Sequence, residues 1–398
     1  MESYLIDWLN LLVRWLHLIA GVAWIGASFY FVMLDNSLSK PKRPGDAERG
    51  VSGELWAVHG GGFYNSQKFL VGPKGEPLSE DLHWSKWEAY TTWLSGMGLL
   101  AIIYWLGAGT YLIDKSVMAL TPASAIAISI GSIVAGWFVY DGLCRMLTGR
   151  DALLAAIIFV LVMLAAWGFF HVFSARAAYM HVGAVLGTIM AANVFFQIIP
   201  GQKRMVADIR AGRAPDPMPG IIGKQRSVHN TYFTLPVLFI MISNHYPMTY
   251  SHPYGWLVLG AMMMSGVLIR QYFVLRHKHA ANPLLLVIAG ALLIALIVWL
   301  MPAQPPKAAQ GALSGYAAVR AILDRRCVAC HAAQPKQEGF AQPPKGVMLE
   351  TADQVTQHAA KVAETVGNRY MPIGNLTQMT DDERAVVAAW FAGGAKVN

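Results

Sequence analysis

Two cysteines and a histidine stand together near the end of the chain, in the run CVACH at residues 327–331. The C-x-x-C-H spacing is the attachment signature of a c-type haem, in which both thiols bond to the porphyrin and the adjacent histidine coordinates the iron. We therefore predict covalent attachment at Cys327 and Cys330, with His331 as an iron ligand. A zinc site is the rival interpretation, but a second ligand pair at zinc spacing is missing.

The other axial ligand is expected to be a methionine, a histidine or none, and three methionines are available. Met379 precedes a T-x-x-E capping box formed by Thr380 and Glu383, so it is expected to pack at the start of the last helix. Met348 lies in an apolar patch typical of a core. Met371 is followed by proline in a stretch that cannot continue a helix, and we predict it as the ligand. Histidine–methionine ligation suits electron transfer rather than oxygen chemistry.

The elements that must position this motif are predominantly apolar. Of the 398 residues, 55% are hydrophobic and 14% are charged, whereas soluble domains have roughly 25% charged residues. Blocks of about 20 apolar residues are long enough to cross a bilayer as helices. Eight blocks are present, at approximately 9–34, 89–112, 123–144, 152–173, 178–200, 229–247, 254–275 and 283–302.

The predicted fold is all-α. It has an eight-helix transmembrane domain at 1–302, a Pro- and Ala-rich linker at 303–312 and a small cytochrome c domain at 313–398. The opening run MESYLIDW has no cleavage site of small residues, so the first block is expected to be a retained helix rather than a signal peptide.

Basic residues concentrate in alternate loops, which marks the cytoplasmic side. The loops after the first, third, fifth and seventh blocks are rich in Lys and Arg, while those between carry only Lys115 and Arg176. Both termini and the cytochrome domain are therefore expected on the periplasmic side of a bacterial inner membrane, where this type of haem is attached. The net charge of +8 thus reflects topology, and no nucleic-acid partner is expected.

The membrane domain shows weak internal similarity. HLIAGVAWIGASFYF, starting at His17, resembles HVGAVLGTIMAANVF, starting at His181, and the runs at Glu88 and Asn230 also match. We predict two parallel four-helix repeats. Such a repeat would make His17 and His181 face each other, and they could hold a b-type haem. A water-bonded interfacial histidine and a metal site without haem are the alternatives.

Two polar segments are expected at the inner surface. They are HGGGFYNSQK at 59–68 and KQRSVHN at 224–230. The glycine run could bring backbone N–H groups close to a ligand, although such a run is also typical of a plain loop. Together, the two segments could form a pocket for a small planar anion.

A resemblance to a known family rests on several of these runs. LHLIAGVAWIGASFYF, KWEAYTTWLSG, NVFFQIIPGQ and SVHNTYFTLPVLFIMISNHYP, followed by CVACH, resemble the bacterial membrane-bound urate oxidase (urate hydroxylase) family over nearly the whole chain. The resemblance implies oxidation of urate to 5-hydroxyisourate, with electrons leaving through haem c to a respiratory acceptor such as a cytochrome c or terminal oxidase.

This chemistry assigns provisional roles to the inner polar residues. Lys68, Arg226 and Asn230 are candidates for binding the urate anion, and Glu88 and His229 are candidate bases. Each has a structural alternative, as a helix cap or a partner of loop charges. Two electrons leave urate while one haem c accepts one, so either the haem is reoxidised between steps or a second centre exists, such as the haem b predicted above.

An alternative function explains both domains equally well. It is a quinol-to-cytochrome c electron-transfer protein without purine chemistry. A terminal oxidase subunit is disfavoured because no paired histidines of a copper site occur in the sequence. A transporter with a fused cytochrome would leave the haem without an electron donor.

Overall fold

The computed structural model describes residues 2–301, 315–337, 340 and 342–397. Every predicted apolar block falls on a helix. The helices up to residue 301 are α1 Glu2–Asn36, α2 Trp87–Leu100, α3 Pro122–Met146, α4 Asp151–Phe170, α5 Ala175–Ala192, α6 Ile199–Arg210, α7 Met218–Ser243, α8 Pro247–Tyr250, α9 Gly255–His277 and α10 Leu284–Trp299.

Several of these helices suit a bilayer by length and composition. Five segments are long and apolar enough to cross one: Tyr4–Asn36, Pro122–Met146, Asp151–Phe170, Ala175–Arg210 and Gly255–His277. The apolar helix α10 is shorter. The helix α7 carries basic residues in its first turns, and α2 gives way to π-helical turns. The membrane character is thus supported, while the count of eight crossings stays a prediction.

Three π-helical stretches interrupt the apolar helices, at Ala101–Trp105, Ala108–Leu112 and Asn193–Ile198. Such turns are rare and concentrate at functional sites. The third continues α5 and leads into α6. Asn193 and Gln197, four residues apart in this stretch, bond to side chains of α3, since Asn193 donates to Tyr140 and Gln197 to Asp141.

The core of the bundle is built around α5. This helix packs against α2, α3, α4, α7 and α9, and small residues such as Gly183 permit the approach, since a Cβ there would lie 2.7 Å from Ile240. The helix α1 packs chiefly against α2, and most of its apolar side chains are exposed. Exposed apolar side chains are expected where lipid, not protein, surrounds a helix.

The all-α prediction was wrong for the loop between α1 and α2. Residues Val51–His59 and Gly62–Phe69 form an antiparallel hairpin, β1 and β2, in which His59 pairs with Gly62. Gly60 and Gly61 have φ of 57° and 79°, as a two-residue hairpin turn of type I′ requires. The glycine run is therefore explained by this turn, rather than by the close approach of a ligand.

The predicted repeat has a local counterpart in the structure. Thr92 donates its hydroxyl to the Glu88 carbonyl at 2.6 Å, and Thr234 donates to the Asn230 carbonyl at 2.9 Å. These pairs occupy equivalent steps of the two matched runs. The helices α1 and α2 pack together, as do α5 and α7. Bonds of this kind are common in helices, so the repeat stays a prediction.

The C-terminal segment is helical and small. Its helices are α11 Tyr316–Arg326, α12 Ala352–Gln357, α13 Ala359–Gly367 and α14 Asp381–Ala392. They enclose a separate apolar core that includes Leu323, Val355 and Trp390. The predicted linker at 303–312 lies outside the described residues, and the domain boundaries stay a prediction.

The predicted capping box is confirmed. Thr380 accepts a hydrogen bond from the Glu383 N–H at 3.2 Å, and its own N–H donates to the Glu383 carboxylate at 2.9 Å. Met379, just before the box, is buried in the apolar core of this segment. Its packing is that of a residue fixing the start of α14.

Candidate functional site

The C-x-x-C-H motif directly follows α11. The N–H of His331 donates to the Cys327 carbonyl at 2.9 Å, which folds the motif into one turn. The His331 Nδ1 lies 2.9 Å from the carbonyl oxygen of Val347. Because a carbonyl only accepts, Nδ1 must carry the proton, which leaves the lone pair on Nε2. An axial haem ligand needs this tautomer, held by this kind of bond, so His331 fits the predicted role.

The two thiols of the motif are protonated at neutral pH. Cys327 is buried in the C-terminal core and Cys330 is half-buried. Burial raises the pKa of Cys327 to about 12 and also raises the pKa of Cys330, so neither is a reactive thiolate. No group of three or more His, Cys, Asp or Glu side chains in the described residues could hold a metal ion. The covalent haem at this motif stays a prediction.

Met371 is held firmly through its backbone. Its N–H donates to the Thr365 carbonyl at 2.9 Å, and its carbonyl accepts from Arg384 at 2.7 Å. Arg384 also bonds to the Val366 carbonyl at 2.7 Å and to the Asn375 side chain at 3.2 Å. Arg384 therefore fixes the loop that carries the methionine. The ligand role of Met371 stays a prediction.

Near the predicted inner ends of the helices, buried polar side chains from α3, the π turn and α7 form one network. We call it the inner polar cluster, and it comprises Tyr140, Asp141, Asn193, Arg226, His229 and Asn230. The Tyr140 hydroxyl lies 2.8 Å from His229 Nδ1 and accepts from the Asn193 amide at 3.0 Å. That amide also donates to Asn230 at 2.9 Å. Three predicted site residues, Arg226, His229 and Asn230, thus lie together.

The charges of the inner polar cluster balance each other. Arg226, only 2% exposed, donates to Asp141 at 2.7 Å. Asp141 also accepts from Arg145 at 2.7 Å and from Gln197 at 3.1 Å. Arg226 stacks over the Tyr140 ring at 5.0 Å. Its Nε and one terminal nitrogen have no hydrogen-bond partner among the described residues.

Two other predicted site residues, Lys68 and Glu88, lie outside the inner polar cluster. Lys68, on β2, pairs with Asp35 at the end of α1 at 2.5 Å, and Lys224 reaches the same carboxylate at 3.5 Å. Glu88 lies in the first turn of α2, and its carboxylate has no ion pair within the described part of the chain. The structure therefore does not bring these two predicted residues into the inner polar cluster.

The two histidines of the candidate membrane spans lie at different levels, His17 against α2 and His181 against the π turn that follows it. His17 Nδ1 is 2.9 Å from the Thr92 carbonyl, and its ring packs on Gly96, where a Cβ would be 2.9 Å from the ring. His181 lies edge to face with Tyr104, with centroids 6.2 Å apart. Gly96 and Tyr104 are separated by roughly 12 Å along a helix axis. The rings therefore do not face each other, unlike in the repeat prediction.

The bonding of His181 does not favour a haem ligand. Its Nδ1 is 2.7 Å from the Ala177 carbonyl and its Nε2 is 2.7 Å from the Ser129 hydroxyl. Both ring nitrogens are thus engaged in a fully buried site packed against Phe173, at a centroid distance of 4.5 Å. The haem b proposed at His17 and His181 stays a prediction, and His181 would have to give up a bond to bind iron.

The C-terminal segment contacts the end of the bundle that the loop charges predict to be periplasmic. Tyr370 packs against the bundle core, and a Cβ on Gly374 would lie 3.0 Å from the Thr110 carbonyl. Between the two parts lies a cavity of about 260 Å³, which we call the junction cavity. Its lining includes Tyr111, Arg176, Tyr250, His252, Tyr370 and Arg384.

Two polar side chains of the junction cavity are incompletely satisfied: one arginine has no carboxylate partner and one tyrosine hydroxyl has no hydrogen-bond partner among the described residues. Arg176 donates to the Asn244 side chain at 2.9 Å and stacks on Tyr111 at 5.5 Å, but it pairs with no carboxylate among the described residues. Tyr250 is 4% exposed, and its hydroxyl has no partner in the part of the chain described. Burial raises the pKa of Tyr250, with Arg176 acting in the opposite direction, so the phenol is a donor at neutral pH.

Sequence reasoning missed the junction cavity. Arg176 was counted only as one of two cations in the outer loops, and Tyr250 was not singled out at all. The signal in the sequence was Arg176, a lone arginine directly before an apolar block. A charged side chain at such a position costs free energy, so it indicates a functional site.

Comparison with known protein families gives one match. The model of the family described as urate oxidase N-terminal aligns with residues 3–301. The chain belongs to the urate oxidase N-terminal family. Comparison with the curated proteins and with the solved structures returned no match.

The extent of the family match is informative. The urate oxidase N-terminal region spans all helices from α1 to α10, and hence the inner polar cluster and the bundle side of the junction cavity. It ends before α11, so the haem-attachment motif lies outside it. The relation to urate oxidases thus concerns the membrane helices, and the haem assignment rests on the motif and the geometry of His331.

Proposed function

We propose that this protein is a membrane-bound enzyme that oxidises urate to 5-hydroxyisourate and passes the electrons through haem c to a respiratory acceptor. The membership of the urate oxidase N-terminal family supports the substrate. The candidate membrane-spanning helices support the location. We further propose that the membrane is the bacterial inner membrane, with both termini on the periplasmic side, and that the acceptor is a cytochrome c or a terminal oxidase.

One observation carries the proposal. The segment with the C-x-x-C-H motif packs directly on the family-matched bundle, through Tyr370 and Gly374. A redox domain in contact with the catalytic domain is what an enzyme needs when its electrons leave through haem. A segment unrelated to the reaction would not need the contact that Tyr370 makes with the apolar core of the bundle.

The residues present fit a covalent haem. Cys327 and Cys330 would hold the porphyrin, and His331 presents its free Nε2 because Val347 occupies Nδ1. The haem, when bound, would supply a one-electron acceptor. The chain's own part is to orient the histidine, to hold the Met371 loop through Arg384, and to exclude water from the buried Cys327 side.

The overall chemistry balances without oxygen as the oxidant. A urate monoanion and one water give 5-hydroxyisourate, one proton and two electrons. A haem c bound at Cys327, Cys330 and His331 would supply a one-electron acceptor, so the respiratory acceptor would take up the two electrons in two successive transfers. This account does not require a second haem in the membrane domain.

Turnover of the purified full-length protein tests the proposal. With a one-electron acceptor in excess, we expect two acceptor equivalents to be reduced for each urate consumed, with no peroxide formed. Quinol in place of urate serves as the matched control. Acceptor reduction by quinol and none by urate would favour the quinol-to-cytochrome c function and would reject urate oxidation.

A further inference from the structure

We propose that urate binds in the junction cavity, entering from the side of the C-terminal segment, rather than in the inner polar cluster. This inference rests on the proposed function and identifies its substrate site. The cavity of about 260 Å³ lies just below the range of roughly 300–1,000 Å³ that is common for pockets of drug-sized ligands, a size that suits a small bicyclic molecule.

Arginines outnumber carboxylates in the lining of this cavity, which includes Arg176, Arg369, Arg384, Asp114 and Asp381. Arg176 has an amide as its partner but no carboxylate among the described residues, so its positive charge is not compensated by an ion pair. Arg226 of the inner polar cluster is paired with Asp141 at 2.7 Å, a carboxylate that it shares with Arg145. An anion at the half-buried Arg176 would form the first ion pair of that arginine, whereas an anion at Arg226 would lie close to the Asp141 carboxylate and be repelled by it.

The walls of the junction cavity suit a planar ring with polar edges. Tyr111, Tyr370 and His252 contribute flat aromatic faces. The unpaired, buried hydroxyl of Tyr250 offers a donor for a purine oxygen. A buried hydroxyl without a partner carries a desolvation cost, and a ligand that accepts its hydrogen bond would remove that cost.

The cavity also lies next to the predicted haem ligand. Arg384 and Asn375 both line it, and Arg384 donates to the Met371 carbonyl at 2.7 Å. The inner polar cluster is much farther away. The helix α3 begins at Pro122, soon after the cavity-lining loop, and Tyr140 lies roughly 27 Å further along the helix axis. Electrons from urate in the junction cavity would therefore need no intermediate redox centre to reach the haem.

The reaction can proceed at this location without a further co-reactant. The rim includes the exposed residues Ser116, Val117 and Pro253, so water can enter. A bond forms between the purine C5 and the oxygen of that water, one O–H bond of the water breaks, and the proton returns to solvent. The two electrons would be taken up by the respiratory acceptor that the proposed function names, with the residues of the C-x-x-C-H motif holding the one-electron group between them.

Variants of two cavity residues test the inference in the full-length, haem-loaded protein. Tyr250→Phe removes only an unpaired hydroxyl, so folding should be preserved. Arg176→Met removes the charge and Arg176→Lys keeps it. Arg325→Met is the matched control, because Arg325 is a 63% exposed cation of the C-terminal segment outside the cavity. Arg226→Met tests the inner polar cluster.

Two measurements are made on each variant. The first is the KM for urate in acceptor reduction, and the second is urate binding to the oxidised protein by equilibrium dialysis. We expect Tyr250→Phe to weaken binding about tenfold and Arg176→Met by about 100-fold, since bonds to charged groups are the strong ones. Arg176→Lys should lie between wild type and Arg176→Met, and Arg325→Met should match wild type. Haem content verifies that each variant is loaded.

The outcomes separate the two proposals. Wild-type turnover with urate, together with unchanged urate affinity in Tyr250→Phe and both Arg176 variants, would keep the function and overturn the junction site. A loss of affinity in Arg226→Met but not in Arg176→Met would place urate in the inner polar cluster. If wild type does not turn over urate, the proposed function fails, while dialysis still decides whether the cavity binds the anion.

Discussion

The ion pair in the inner polar cluster provides a prediction about stability. Arg226 and Asp141 have side chains that are 3% and 13% exposed. Removing one partner of such a pair costs about 3–5 kcal/mol, because the other charge is left buried. Asp141 retains Arg145 and Gln197, which places the cost for Arg226→Met near the lower limit. Loss of the stacking on Tyr140 adds about 1 kcal/mol.

A double variant isolates the pair itself. Asp141→Asn combined with Arg226→Met removes both charges. We therefore expect the double variant to lose less free energy of unfolding than the two single losses add up to, by more than about 1 kcal/mol. The assay is reversible chemical denaturation of the detergent-purified protein, followed by tryptophan fluorescence. Single effects that simply add, or an Arg226→Met variant as stable as wild type, would refute the buried ion pair as the organising contact of the cluster.

Three further predictions concern other contacts. Gly96→Ala should lower the denaturation temperature, because the new Cβ would lie 2.9 Å from the His17 ring. Gly26→Ala is the control and should leave the temperature unchanged, because a Cβ at Gly26 would meet open space. Equal effects of the two substitutions would contradict this packing. Although burial opposes it, a capping hydrogen bond and an arginine hold the pKa of Glu383 below its usual value of about 4.3. That stabilisation should be lost as pH falls below this value, and Glu383→Gln should remove this pH dependence in acid unfolding of α14 followed by hydrogen exchange. Met371→Ala should lower the haem reduction potential in a redox titration; an unchanged potential would assign the axial ligand to another residue.

The helices were predictable because their signal is local. Each apolar block is long and continuous, so hydrophobicity alone located α1, α3, α4 and α9. The hairpin was missed because its signal was given another meaning. The glycine run predicts either a plain loop or a backbone that approaches a ligand, whereas Gly60 and Gly61, with positive φ at two adjacent residues, form a type I′ turn.

The candidate site was predictable only where its residues are close in sequence. Arg226, His229 and Asn230 lie within about one turn of α7, so their proximity follows from helix geometry. Arg176 and Tyr250 come from different parts of the chain and meet the C-terminal segment at one cavity. Their relation depends on how the segment packs on the bundle, and no local pattern encodes that packing.

The central claim is that electrons from urate reach the haem of the C-x-x-C-H motif within one protein. Its most direct test is the optical spectrum of the purified, oxidised protein under anaerobic conditions, before and after urate is added. The account predicts that urate alone reduces the c-type haem. A spectrum that urate leaves unchanged, in protein whose haem is reduced by quinol, would contradict it.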